Sequence, residues 1–549
     1  MTQLIYAKLL STTDKRAASL LVLILFIGIS LRFHNISERG FILWDEATYM
    51  KYAKFGVSTV KNLPLVIKQF LSDKLDRDML KANLEGSIPV ETPKPGHVFL
   101  LAIASLLTNS RDYSGSVVSA ILGVASIFLV YIAGKTFYDH KTGLISASVL
   151  AVSPYHIMYS RSAMAEIDAS FFFLLGVFLY YLSYREGRNL YLVLSGLCAG
   201  FSVTCNYRWI YLILIFFLFE GYLYSSYSEK NLFWKTRRAI LLISSLSVFP
   251  LLFQFVYLFF LKLKSLPFPS YFGTILNSYV GQSSKGPFLY PHALFFKLIL
   301  WLEGPIILAL LLSGVLYLLR RHKAQDLLIV LPFLIPFTLF SLKTRGDKAV
   351  AISLTLPFIA LIAGSVIARI PDSLSRFKRM RSSKFLILVP VFMTLLVLLS
   401  NGHASWELIK IKSGYREAMT WLKNRNGEKH FTTAYSISSY YVGVKGNTRE
   451  APADMEEIRR LYLKEGYRYL LLDWHKFYHS PSTSPIGFYK FAEERFRPVF
   501  SVPNKIATYL PYNIDDFHYR HGNSDYNYQM VKEPGFSYIR IYDLRELLN

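Results

Sequence analysis

Mostly apolar stretches recur along the first 400 residues of this chain, each near the roughly 17 to 25 residues that a helix needs to cross a bilayer. They lie near 17 to 34, 114 to 137, 142 to 158, 164 to 184, 189 to 205, 208 to 226, 239 to 262, 293 to 319, 326 to 342, 348 to 369 and 384 to 400, about eleven in all. Few folds are open to such a chain. Backbone polar groups in hydrocarbon must bond within their own segment, so the stretches are helices of a polytopic membrane protein. With 52% hydrophobic and only 18% charged residues, the composition excludes an ordinary soluble domain. Lys15 and Arg16 precede the first stretch as they would in a signal peptide, but no small-residue cleavage site follows it and more spans do. It is therefore expected to stay as the first helix.

The net charge of +24 would point a soluble chain toward nucleic acid. Here no nucleic-acid-binding signature accompanies it, and basic residues that collect on cytoplasmic loops beside anionic lipid account for it. An N-terminus in the cytoplasm puts Lys141, Arg185, Arg188, Arg237, Arg238, Arg320, Arg321 and the basic cluster at 376–384 on inner loops, and the opposite short loops hold fewer. That orientation requires Gly96 to Leu107, apolar but short, to lie in the outer membrane face rather than to cross. The first outer loop then runs from about Asn35 to Tyr113, with an amphipathic interfacial helix expected at Asn62 to Leu75. An odd span count sends the residues after 400 outside. Cys198 and Cys205 sit in an apolar segment and suit core packing better than a disulfide or a metal pair.

From Asn401 onward the composition turns polar. Ser413 to Asn426 has the spacing of an amphipathic helix, Phe431 to Val444 and Tyr467 to Asp473 the look of strands, and Met455 to Glu465 that of a helix between them. Residues 401–549 are thus expected to form a small extracytoplasmic α/β domain above a membrane domain of residues 1–400. No internal repeat or Gly-rich phosphate loop is present, which weakens a transporter or flippase reading.

Sorted by side, the unusual polar residues gather outside: Asp45, Glu46, Glu91, Lys94, His97, Arg161, Glu166, Asp168, His292, Glu303, Arg345, Asp347 and Lys348. Taken singly, each has a plain explanation as a surface charge, a helix cap or a loop residue. Together they place acids that accept protons and cations that hold phosphate at the level of the lipid headgroups. That combination suits transfer of a group from a lipid phosphate to an acceptor outside the cytoplasm. No two His, Asp or Glu residues have a spacing that fixes a metal site, which leaves a divalent-metal requirement open.

At this point the chain resembles a family. Trp44-Asp-Glu-Ala-Thr-Tyr49 after the first span, Lys94-Pro-Gly-His97 leading into VFLLA, and SPYHIMYSRSAMAEIDASFFF at 153–173 are similar to motifs of lipid-linked-sugar glycosyltransferases of the GT-C fold. The similar branch is the dolichyl-phosphate-mannose protein mannosyltransferase and aminoarabinose transferase group, families 39 and 83, over residues 15 to 400. The resemblance implies Asp45 as the base that deprotonates the acceptor, with Glu46 supporting it and Asp168 in the second acidic motif. Lys94 matches the basic residue of a Lys-Pro-Pro motif, from which this chain departs with Gly96 and His97. Arg161, seven positions before Asp168, Arg345 or Lys348 in Lys343-Thr-Arg-Gly-Asp-Lys348, and His292 in GPFLYPHALFF match regions that bind substrate. The implied reaction is inverting transfer from a polyprenyl-phosphate sugar, a hexosyl or pentosyl donor, to a lipid, glycan or protein on the outer face of a prokaryotic cytoplasmic membrane. A polysaccharide polymerase or ligase, a flippase for lipid-linked glycans, and a non-enzymatic envelope anchor are the rival readings.

Overall fold

The computed structural model describes residues 15–62, 64, 92, 94–226, 232–261, 270–276, 291–321, 323–342, 348–375, 385–425, 428–442, 447–452, 455–473, 494–504 and 538–548. The expected interfacial helix at Asn62 to Leu75 falls largely outside them. In chain order the membrane part comprises α1 (Lys15–Phe33), α2 (Trp44–Lys61), α3 (Pro95–Leu107), α4 (Ser114–Phe137), α5 (His140–Ala151), α6 (Pro154–Ser160), α7 (Ala165–Glu186) and α8 (Asn189–Cys205). It continues with α9 (Ile213–Ser226), α10 (Leu232–Leu261), α11 (Pro291–Arg321), α12 (Ala324–Leu342), α13 (Lys348–Leu374) and α14 (Phe385–Ile409).

Seven described helices are long and apolar enough to cross a membrane: α1, α4, α7, α10, α11, α13 and α14. Of the other four expected spans, 189–205 and 326–342 are the continuous helices α8 and α12, and two are interrupted. Residues 142–158 divide into α5 and α6, because Pro154 occupies the first position of a new helix and the Ser153 hydroxyl caps it by accepting from His156 N at 3.2 Å. Glu303 then fixes the break, its Oε1 accepting from Ser153 Oγ at 2.7 Å and from Tyr155 N at 3.2 Å. Residues 208–226 start as a 3-10 turn, Tyr207–Leu212, before α9. The apolar parts of α8, α9 and α12 are Asn189–Cys205, Ile213–Tyr222 and Ala324–Leu339.

The bundle is built around α13, whose apolar window is 89% buried by protein, whereas those of α1, α10 and α14 are 28%, 17% and 22% buried. Side chains such as Phe26, Phe255 and Leu399 therefore face outward from peripheral helices, as lipid permits. Glycine permits a close helix crossing between α8 and α10. A Cβ on Gly200 of α8 would stand 2.1 Å from the Leu246 carbonyl of α10, so no other residue lets these helices meet there.

The helix α14 continues past the composition change at Asn401 to Ile409, and the C-terminal part follows. It contains α15 (Tyr415–Lys423), β1 (Lys429–Thr432), α16 (Tyr435–Val442), β2 (Thr448–Glu450), α17 (Met455–Glu465), β3 (Tyr467–Asp473), β4 (Phe500–Pro503) and β5 (Tyr538–Asp543). The sheet order is β2-β1-β3-β5-β4. Strand β1 is parallel to β2 and β3, and β5 is antiparallel to β3 and β4, with Leu471 opposite Ile541. The expected strand from Phe431 to Val444 is not one. Thr432 ends β1, its hydroxyl accepts from Ala434 N at 3.0 Å, and the next residues wind into α16 against α2. Its sequence, YSISSYYV, suits either period, and tertiary packing decides between them.

Candidate active site

The helix α2 begins at Trp44, and its N-cap, Leu43, offers no side-chain oxygen. Glu46, in the first turn, supplies the acceptor by folding back over the helix end. Its Oε1 takes the amides of Leu43 at 2.8 Å and Ile42 at 3.1 Å, together with Arg39 Nη2 at 2.9 Å. Its Oε2 takes Arg39 Nη1 at 2.8 Å and the Ala163 amide at 2.9 Å. Arg39 and Glu46 are both buried, so the pair is bidentate and shielded from water. Asp45 is the opposite case. One residue along a helix turns a side chain by about 100°, and Asp45 is exposed at the positive end of α2 with no bond to a described residue.

One turn after Asp45, on the same face of α2, stands Tyr49. Lys94 Nζ lies 4.9 Å above its ring and 3.8 Å from Glu166 Oε1. That separation is beyond hydrogen-bond length, so the ammonium keeps donors for another group. Lys94 caps α3, and His97 follows within the first turn, edge-on to Tyr49 at 5.0 Å. His97 Nε2 faces the Ala163 carbonyl at 3.2 Å, and Nδ1 faces Asp168 Oδ2 at 2.6 Å. Both ring nitrogens thus face acceptor oxygens, a backbone carbonyl on one side and a buried carboxyl on the other. The peptide groups of Ala163 thus link Glu46, through the amide, to His97, through the carbonyl. Glu166 and Asp168 lie in the first turn of α7, where the helix favours acids, and Asn206 donates to Glu166 Oε1 at 3.3 Å. Gly96 explains the missing second proline: a Cβ there would sit 2.4 Å from Thr204 Oγ1 and 3.0 Å from Cys205 N.

The family described as dolichyl-phosphate-mannose-protein mannosyltransferase matches residues 91–257. YkcB, a candidate mannosyltransferase of Bacillus subtilis, is 23% identical over 205 residues, which are 37% of this chain and 26% of that protein. YycA, a second one from the same organism, is 22% identical over 43% of this chain and 32% of its own length. The chain thus matches only about a quarter to a third of the length of these curated relatives. Among solved structures, an Archaeoglobus fulgidus oligosaccharyltransferase in complex with an inhibitory peptide and a dolichol-phosphate aligns with a TM-score of 0.56 at 14% identity, over 88% of this chain and 73% of that one. ArnT from Cupriavidus metallidurans bound to undecaprenyl phosphate aligns with a TM-score of 0.55 at 12% identity, over 87% of this chain and 95% of ArnT. The chain has the GT-C glycosyltransferase fold.

Within that GT-C frame the candidate residues separate. Glu46, Lys94 and Asp168 come together around Tyr49, His97 and Ala163, and Asp45 lies one helical turn before Tyr49. Arg161 does not join them. A continuous helix would put it on the face of Asp168, but α6 ends at Ser160 and α7 starts at Ala165, so that periodicity is broken. Its guanidinium instead donates to the carbonyls of Leu31 at 3.3 Å, Arg32 at 3.1 Å and Ile409 at 3.5 Å, tying the ends of α1 and α14. His292 is the second residue of α11 and Lys348 the first of α13, while their side chains and all of Arg345 lie outside the described residues. Arg39, Tyr49, Ala163 and Asn206 complete the site without a signal in the sequence strong enough to select them. Among the described residues no three His, Cys, Asp or Glu side chains cluster as a metal site.

Proposed function

We propose that the chain transfers a sugar from a polyprenyl-phosphate donor to an acceptor on the outer face of a prokaryotic cytoplasmic membrane, with inversion at the anomeric carbon. The observation that carries this reading is the division of labour in the acidic pair. Glu46 is consumed by five hydrogen bonds, and Asp45 beside it is exposed and free to take a proton. In the proposed step Asp45 removes the acceptor hydroxyl proton while the oxygen bonds to the anomeric carbon. The bond from that carbon to the phosphate oxygen breaks, and its electron pair leaves on the lipid phosphate. Lys94, one turn along the same face through Tyr49, offsets the charge that develops there. Two GT-C neighbours, one in complex with a dolichol-phosphate and one bound to undecaprenyl phosphate, support a lipid-phosphate donor.

The test is a donor panel: purified protein in lipid nanodiscs, polyprenyl-phosphate hexoses and pentoses, with and without divalent metal, and donor consumption as the readout. At least one polyprenyl-monophosphate sugar is consumed if the reading holds. Consumption of diphosphate-linked oligosaccharides alone would overturn it in favour of a polymerase or ligase.

A further inference from the structure

The C-terminal sheet runs β2-β1-β3 around its first strand, so its switch point lies at the carboxyl ends of β1 and β3, where open parallel sheets usually take a ligand. Here that edge is filled from within. Asp473 N donates to Thr433 Oγ1 at 2.9 Å, and the Asp473 carboxylate receives the Tyr415 hydroxyl and Asn504 Nδ2. From the same edge α16 leaves to lie along α2, the helix that carries Asp45. Lys51 Nζ donates to Ser439 Oγ at 3.0 Å, and Lys54 Nζ sits 3.6 Å over the Tyr440 ring.

The contacts continue to the N-terminal end of α2. Phe41, two residues before the N-cap, meets the rings of Tyr440 at 4.8 Å and Tyr441 at 5.5 Å. Ser413 N donates to the Arg39 carbonyl at 2.9 Å, so the residue that pairs with Glu46 is also held from the C-terminal part. Asp112, in the turn between α3 and α4, is the hub: its Oδ2 accepts Arg416 Nε at 2.9 Å, Arg416 Nη2 at 2.7 Å and the Tyr441 hydroxyl at 2.5 Å. Tyr440 adds a bond from its hydroxyl to the Ser110 carbonyl at 2.9 Å.

We propose that the C-terminal sheet domain is a positioning clamp for Asp45: its switch-point edge grips residues 39–43 and the α3–α4 turn rather than a small ligand. Arg416 and Tyr441 are positioning residues, acting on the base through Asp112 and Phe41. The proposal takes Asp45 as the base argued above, but its deciding readout does not depend on that.

The experiment compares hydrogen exchange in full-length protein in nanodiscs for wild type, Tyr441→Phe, Arg416→Gln and the double variant. Arg449→Gln, which removes exposed ion pairs with Glu457 and Glu465 on the same domain, is the control. Tyr441→Phe keeps the ring and removes only the bond to Asp112, so it decides the matter if Arg416→Gln folds poorly. The clamp predicts exchange at residues 40–47 faster by about tenfold in the double variant, with β3 and the control unchanged. With a donor in hand, kcat falls while the donor KM holds. Unchanged exchange at 40–47, or a rise of equal size in β3, overturns the proposal. A wild type that consumes no donor counts against the function proposed above and leaves the exchange comparison intact.

Discussion

Replacing Glu46 by glutamine keeps the shape of the side chain and changes only what it can accept. The acid receives three donors on Oε1 and two on Oε2. Glutamine has one carbonyl oxygen and an NH2 that donates. With its oxygen at the Oε1 position, the NH2 confronts Arg39 Nη1 and the Ala163 amide. Flipped, it confronts Arg39 Nη2 and the amides of Ile42 and Leu43. Either way a buried guanidinium, 2% exposed, loses the charge of Glu46. Stranding one member of a buried ion pair costs roughly 3–5 kcal/mol, and the orphaned amides raise the loss further without adding linearly. A decrease of about 4 kcal/mol is the working figure. Thermal scanning of the purified protein at a fixed rate reads it as a midpoint lower by several degrees, since unfolding of such a protein is treated kinetically. Replacing both partners, Arg39→Met with Glu46→Leu, removes the buried charge and recovers part of the loss. A Glu46→Gln protein that melts with the wild type would refute the reasoning, because five buried donors cannot all be served by one amide.

Two further outcomes follow from local geometry. Gly96→Ala pushes a methyl group against Thr204 Oγ1 and the Cys205 amide, so α3 must move off α8, at a cost of about 1–3 kcal/mol in the same thermal scan; Thr204→Ala in the same chain restores part of it. His430 is buried in β1, and burial pushes its imidazole from 6.5 down to about 4. The folded domain therefore favours the neutral ring. Its stabilising effect is complete above pH 6.5 and is lost as pH falls toward 4, where the unfolded chain binds the extra proton, by about 2–3 kcal/mol. Hydrogen exchange in β1 and β3 across that window detects it, and His430→Gln flattens the pH dependence.

Much of the fold was legible because its signals are local. Ser114 to Phe137 and Tyr467 to Asp473 appear in the structure with the ends their hydrophobic patterns predict, and Met455 to Glu465 does so as a helix. Other features depend on partners far along the chain. The Ser-Pro pair at 153 and 154 carried the signal for a helix break, yet Glu303, which completes it, is distant in sequence. The residues of α16 became a helix because α2 was there to receive them. At the site, the resemblance implied Asp45 as the base and Glu46 as its support without saying what holds either side chain. Only Arg39 and the Ala163 amide show that one is held and the other is presented to solvent. Nothing in the sequence paired His97 with Asp168, since the contact requires the start of α3 to meet the start of α7.

The central claim rests on Asp45, and one comparison tests it most directly: single-turnover transfer by Asp45→Asn against wild type, with the melting profile of both measured in the same preparation. Asp45 is exposed and unbonded by described residues, so the variant should melt within the usual surface-substitution range of about ±0.5 kcal/mol. Its transfer rate should fall by roughly 10²–10⁴-fold, the range expected when a positioned base is lost. A folded Asp45→Asn protein with near-wild-type turnover would contradict the account.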